Sequence, residues 1–570
     1  MTTVTFHRAN QAAQSNWLRG TVQVGLIGGL VGVSIALQGM IQAFAKRDVI
    51  NEVITMSHTL VLLTFFVTGY AAVARARLTQ PARVLAASAL GGGIASASLV
   101  AFLWLGSVAD LGSVFVNATK QLYDLLTFNQ GLTAGSLILL GAGLVAGVLA
   151  GLIYLLPVLW RGAVLTALLG TVLLGVLQDL IRVSLSDWKF LEPALKVLYA
   201  SNGLSLEGTA TVFVLIFTFV LLWATQKPRL EAGYSRMPAA QRQATRWGVS
   251  AALVVILFAL PYLLGLYLSE VLDNVGLYLL MGLGLNIVVG FAGLLDLGYV
   301  AFFAIGAYTV GVLTSPELAT GIFHNWWLAL PFAVLAAVAF GVLLGIPVLR
   351  MRGDYLAIVT LGFGEIIRLL ALSDFLKPYI GGAQGIQRIA KPDLPGLEIP
   401  WGPQTFYYLF LGGCLLVMFV AMRLKNSRLG RAWMAIREDE DVAQAMGIDL
   451  VATKLMAFGM GASFGGLAGA IFAAKLESIY PHSFNFLISI NVLALIIIGG
   501  MGSIPGVIVG ALALVGLPEL LREFAEFRYL FYGIVLVVMM LVRPEGLIPE
   551  ARRAQELEEF REEAASRAAT

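Results

Sequence analysis

The chain has 570 residues, of which 59% are hydrophobic and only 12% charged, with 62 glycines and a mean hydropathy of +0.86. This composition excludes a soluble globular fold and predicts an all-α polytopic protein embedded in the lipid bilayer. A net charge of +3 gives no footprint for a nucleic-acid partner, and the single cysteine, Cys414, excludes an internal disulfide.

Taken in chain order, the amino terminus is polar and is followed by an apolar segment near 22–44. Ala43, Phe44 and Ala45 mimic a signal-peptidase site, but a signal peptide has a hydrophobic region of only ~7–15 residues, so this segment is expected to be retained as a span. Further apolar segments lie near 55–74, 84–106, 134–156, 163–183 and 209–225, then a charged gap, "QKPRLEAGYSRMPAAQRQATR". Beyond it they lie near 248–268, 274–293, 299–314, 325–349, 355–371, 405–423, 453–473, 486–502, 504–517 and 529–542. That makes about 16 apolar segments, several short enough for half-spans or re-entrant hairpins.

Placing both termini in the cytoplasm puts Arg75, Arg77, Arg83, Arg161, the charged gap, Arg350 and Arg352 inside, as the positive-inside bias demands. Lys46 and Arg47 fall outside, against the bias. Trp326, Trp327 and Trp401 suit an interfacial belt.

The glycine series 143, 147, 151 and 461, 465, 469 predict close helix–helix seams. "GASFG" at 461–465 matches a nucleophile-elbow pattern, but His58 and His482 have no catalytic context, so Ser463 is expected to pack. No catalytic or metal-binding residue is expected. No phosphate-loop motif occurs, so any energy source lies on another chain or in an ion gradient.

Two features carry function. The first is charge near membrane depth, which is costly unless paired or hydrated. Asp296, Asp354 and the Glu365–Arg368 spacing stand out; Asp354 reads as a cap or ion pair with Arg350 and Arg352, and Asp296 as a cap for the segment starting near Tyr299. Glycine interruptions in "GFAGLLDLG" and "TLGFGE" predict broken helices, where transporters expose backbone groups to substrate. Asn286, Gly293, Asp296, Tyr299, Tyr308, Thr360, Gly362 and Glu365 are therefore the expected translocation-pathway residues.

The second is "NSRLGRAWMAIREDEDVAQAMGID", residues 426–449, with three arginines and five acidic residues between two apolar spans. Residues 431–445 lack glycine and proline, which predicts one amphipathic helix of about four turns with Trp433 and Ile436 on one face and Val442 and Met446 on another. The acidic run argues against anionic lipid and for a protein partner.

This stretch resembles the cytoplasmic coupling loop of ABC importer permeases, and specifically the LivM-type permease of branched-chain amino-acid importers. "LGLNIVVGFAGLLDLGYVAFFAIGAYT" at 283–309, "LRMRGDYLAIVTLGFGEIIRLL" at 349–370 and "GGMGSIPGVIVGALAL" at 499–514 are similar to the same family. The resemblance implies a LivM-like core at 247–545, beside an amino-terminal extension of about six spans at 1–246 and a charged cytoplasmic tail at 546–570. It implies a second, LivH-like permease, two ABC ATPase subunits holding ATP-Mg, and a periplasmic binding protein, with no cofactor in this chain and a bacterial inner-membrane location. ATPase coupling is expected at Arg428, Gly430, Arg431, Ala435, Arg437, Glu438, Asp439, Glu440 and Gly447. Two other readings stay open: a same-family permease for urea, a short amide or another amino acid, and an ion-coupled secondary transporter.

Overall fold

The computed structural model describes residues 17–549, apart from 79, 186, 187, 189–191, 237, 319, 320, 324, 349, 350, 352, 395, 397, 398 and most of 521–545. Arg350, Arg352, the side chain of Asp354 and the tail from 550 onward lie outside the described residues, as do the expectations that fell on them.

The protein is an all-α polytopic membrane protein with twelve described helices long and apolar enough to cross a bilayer, plus shorter apolar helices at Val300–Thr314 and Ile504–Glu519. The sequence segments number two more for physical reasons. Those near 248–268 and 274–293 lie on either side of the break at Gly265 in one long helical stretch that is counted once, and the one near 529–542 falls largely outside the described residues.

The chain divides into two compact units, Met1–Ala252 and Leu253–Thr570. The first holds α1 (Trp17–Leu37), α2 (Met56–Ala76), α3 (Pro81–Val108), α4 (Leu132–Leu155), α5 (Val158–Val176) and α6 (Leu206–Arg236). The predicted glycine seam holds α4 against its neighbours. A Cβ on Gly147 would overlap the Ser88 carbonyl oxygen of α3, and Gly143 and Gly151 face Ser96 and Ser88. A two-stranded hairpin, Asp48–Ile50 with Ile54–Thr55, departs from the all-helical pattern. Beside it Arg47 pairs with Asp179 at 3.0 Å.

In chain order α7 (Ala239–Leu285) follows, broken at Gly265 (φ 74°) four residues after Pro261. The second unit continues with a π-helical segment, Asn286–Phe291, α8 (Val300–Thr314), α9 (Trp326–Val348), α10 (Asp354–Leu372) and α11 (Pro403–Lys425). Two short helices, α12 (Arg428–Glu438) and α13 (Glu440–Ala445), lead into α14 (Leu450–Leu476), α15 (Phe486–Gly499), α16 (Ile504–Ala511) and a second π-helical segment, Leu512–Gly516.

The core of this unit forms around α14, whose small residues let α8 and α9 approach closely. At Gly469 a Cβ would overlap the Phe303 carbonyl oxygen of α8, and Gly466 faces Ala337 of α9. Dispersion between closely apposed backbones supplies what the hydrophobic effect cannot supply inside lipid. Ser463 packs, donating to the Met460 carbonyl at 2.6 Å. Trp326 corrects the interfacial-belt expectation. It is fully buried and donates its indole N–H to the Ala470 carbonyl at 3.1 Å, whereas Trp327 remains partly exposed.

Candidate coupling segment and translocation cavity

The segment at 426–449 folds as two helices and not as one. Asp439 is extended (φ −156°) and its Oδ1 accepts from the backbone N–H groups of Asp441 and Val442, both at 2.9 Å. A capping carboxylate satisfies two otherwise orphaned donors, so the helix restarts where propensity alone would continue it. Ser427 caps α12 through Gly430, and a Cβ on Gly430 would overlap the carbonyl oxygens of Leu424 and Lys425.

The apolar face read from the sequence is the anchor. Trp433 and Ile436 are buried, and the Trp433 indole donates to the Thr453 carbonyl of α14 at 2.8 Å. Lys454, 2% exposed, pairs with Glu440 and ties α13 to the same helix. The opposite face is open: Val442 is 58% exposed and Met446 80%, with Arg428, Arg431, Glu438, Asp439 and Gly447 (φ 85°) also exposed. Ala435 is half-buried.

Arg437 turns inward. Its guanidinium donates to the Gly290 carbonyl, one of those that the π-helical segment leaves accessible, and its side chain is only 19% exposed. Gly293 (φ 72°) lies beneath it, where a Cβ would come within 2.5 Å of Arg437 Cγ. The same π segment is held from its other side. Asn286 Oδ1 accepts from Gly502 N–H at 2.8 Å, Lys425 donates to the Gly502 carbonyl at 3.0 Å, and the Lys425 ammonium stands 5.5 Å from the Phe291 ring centre. α12 is thus joined directly to a break in a membrane helix.

The remaining residues expected in the pathway mostly frame this break. Asp296 accepts from Gly298 N–H at 2.8 Å, as a cap for the segment entering α8, while its Oδ2 is buried without a hydrogen-bond partner. Thr360 accepts from Leu297 N–H at 3.0 Å, and Tyr299 donates to the Gly461 carbonyl at 2.8 Å. Tyr308 is buried against Phe484. On α10, Gly362 faces open space, and Glu365 pairs with Arg368 at 2.8 Å, the i,i+3 pair that the spacing allowed.

None of these eight residues lines the partly open cavity of about 320 Å³ between α7, α8, α14, α15 and the second π segment. Its walls are mostly apolar, with Leu277, Met281, Phe303 and Leu514 among them; Asn274, Asn491, Ser483 and Glu519 supply polar groups. α14 has 27 residues and so spans about 40 Å. Phe472 and the Ser483 turn therefore place the cavity toward the end of α14 opposite α12 and α13. Nearby, Lys475 pairs with Glu270 at 2.8 Å and with fully buried Asp273 at 3.0 Å. The available sequence signal was the lone asparagine, Asn491, within the apolar run of α15.

Residues 267–542 match the family described as "Branched-chain amino acid transport system / permease component". Similar proteins include the high-affinity branched-chain amino acid transport system permease protein LivM of Salmonella typhimurium and that of Escherichia coli. Each is 44% identical over 323 residues, covering 53% of this chain and 74% of the relative. The LivH permease of Salmonella typhimurium is 25% identical over 307 residues, covering 50% of this chain and 97% of the relative. No solved structure matches the chain. The amino-terminal unit lies outside the matched region, while the coupling segment, the π-helical break and the cavity all lie within it. On this similarity the chain belongs to the branched-chain amino-acid transport permease family and is of the LivM type.

Proposed function

We propose that the chain carries branched-chain or closely related aliphatic amino acids across the bacterial inner membrane as one of two permease subunits of an ATP-driven importer. The second permease is LivH-like, two ABC ATPases beneath hold ATP-Mg, and a periplasmic binding protein delivers substrate. The observation that carries this reading is the coupling pair α12–α13. One face is locked to α14 by Trp433 and by the Lys454–Glu440 pair, while Val442 and Met446 are presented outward. Exposed apolar side chains beside an acidic run fit a cleft on a partner protein better than they fit water or anionic lipid.

ATPase closure displaces α12, and Arg437 passes that displacement to the π segment at 286–291, the hinge on which access alternates. Arg428, Arg431, Glu438, Asp439 and Gly447 face the ATPase; Gly430, Ala435, Arg437 and Glu440 act from within. Asn286, Gly293, Asp296, Tyr299, Tyr308 and Thr360 frame the hinge, and Gly362 with Glu365 lies on the outer side of α10. The amino-terminal unit is a structural helical bundle.

Purification of the tagged chain in mild detergent, followed by mass spectrometry, tests the assembly. Recovery of two ATPase chains and a second permease supports it. Recovery of the chain alone, from membranes where those proteins are present, contradicts it.

A further inference from the structure

We propose that the amino-terminal unit holds one anionic phospholipid, with an acyl chain in the groove between α2, α4 and α5 and the phosphate at Arg161. The inference concerns this unit alone and does not depend on the transport reading.

Shape limits the occupant. The groove has a volume of about 730 Å³ and is lined almost wholly by aliphatic and aromatic side chains, among them Leu63, Phe66, Val145, Leu149, Leu165 and Leu169. Val145 and Leu169 are each 59% exposed, so the groove opens to the bilayer. Its run from Thr59 to Tyr70 on α2 and from Ile138 to Leu149 on α4 advances about 17 Å along each helix, close to one leaflet of a hydrocarbon core ~30 Å thick. Spread over that length, the space is about 40 Å² in section, roughly half of what a helix ~10 Å across fills. A flexible alkyl chain fits; a neighbouring helix does not.

Charge selects the head group. Arg161 precedes Leu165 by one turn on α5 and so shares the face that lines the groove. Its guanidinium stands 5.1 Å from the Tyr154 ring centre, and Tyr154 meets Tyr70, a wall residue, edge to face at 5.5 Å. A guanidinium seated on a ring keeps the planar fork of N–H donors that binds phosphate in bidentate fashion. Arg75, Arg77 and Arg83 are exposed at the same end of the helices. The sequence holds no aspartate or glutamate between 53 and 109 or between 125 and 178, and none of these four arginines forms an ion pair among the described residues. The countercharge therefore comes from outside the bundle. The positive-inside bias sets this end in the cytoplasmic leaflet, whose anionic lipids supply it.

Two measurements on the full chain test the site. In intact membranes, a photo-crosslinking benzoylphenylalanine in place of Leu149 is expected to give a phospholipid adduct by mass spectrometry; an adduct to a protein chain instead overturns the proposal. The purified chain is then equilibrated with equal amounts of phosphatidylglycerol and phosphatidylcholine, and bound lipid is counted by native mass spectrometry. The first lipid bound is expected to be phosphatidylglycerol by at least fivefold. Arg161→Gln should reduce that preference below twofold, and Val145→Trp, which fills the groove from its exposed rim, should lower the occupancy of that lipid at least fivefold, with the gel-filtration elution of both variants unchanged. Equal occupancy by the two lipids in the unsubstituted chain, an unchanged preference in Arg161→Gln or an unchanged occupancy in Val145→Trp overturns the proposal.

Discussion

Replacing Arg437 by alanine removes the link between the coupling helix and the broken membrane helix while leaving the anchors of α12 in place. The guanidinium donates to the Gly290 carbonyl from a largely buried side chain, and a hydrogen bond from a charged donor contributes about 1.5–3 kcal/mol. Taking about 2 kcal/mol, the balance between joined and separated arrangements shifts by about 30-fold, since 1.4 kcal/mol is a factor of ten. Trp433 and the Lys454–Glu440 pair still hold α12–α13 to α14, so ATPase docking survives. Uptake per ATP hydrolysed is therefore expected to fall about tenfold or more in the reconstituted importer, with ATPase activity retained. Gly293→Ala approaches the same contact from below. It forces a Cβ within 2.5 Å of Arg437 Cγ at a left-handed backbone position that costs a non-glycine residue about 1–2 kcal/mol. Normal uptake per ATP in both variants would refute transmission through this contact.

Other perturbations separate docking from folding. Val442→Asp combined with Met446→Asp places charge on the exposed face of the coupling pair, and co-purified ATPase is expected to drop at least fivefold while the permease yield is unchanged. Lys454→Met removes the buried ammonium that pairs with Glu440; breaking a buried pair costs about 3–5 kcal/mol, so thermal stability in detergent falls. Gly469→Val drives side-chain atoms into the Phe303 carbonyl and separates α8 from α14, which should lower the melting temperature of the purified chain more than Gly362→Val, whose Cβ meets open space.

The spans were legible because lipid imposes a run of apolar residues on every helix that crosses it. The glycine seams were legible for a related reason: within lipid, small residues are what let backbones meet. The amphipathic character of 426–449 was legible from the spacing of Trp433 and Ile436, but its division at Asp439 was not. "EDED" is compatible with a continuous helix, and only the capping geometry decides between the two. Arg437 read as one of the ATPase-coupling residues, but its inward turn was not legible, because its partner is a main-chain carbonyl and hydrophobic periodicity carries no record of which carbonyls a π-helical segment frees. Trp326 read as interfacial because it opens a span; its burial depends on where the α14 carbonyl of Ala470 lies, a tertiary fact. The cavity escaped for the same reason, since its wall draws on residues from 274 to 519.

The most direct test of the central claim is amino-acid uptake by liposomes carrying the assembled complex, with ATP enclosed and loaded binding protein outside. Concentrative leucine uptake that requires ATP, persists when ion gradients are collapsed and stops in a complex whose ATPase cannot hydrolyse is the predicted result. Uptake driven by an ion gradient and indifferent to ATP would contradict the account.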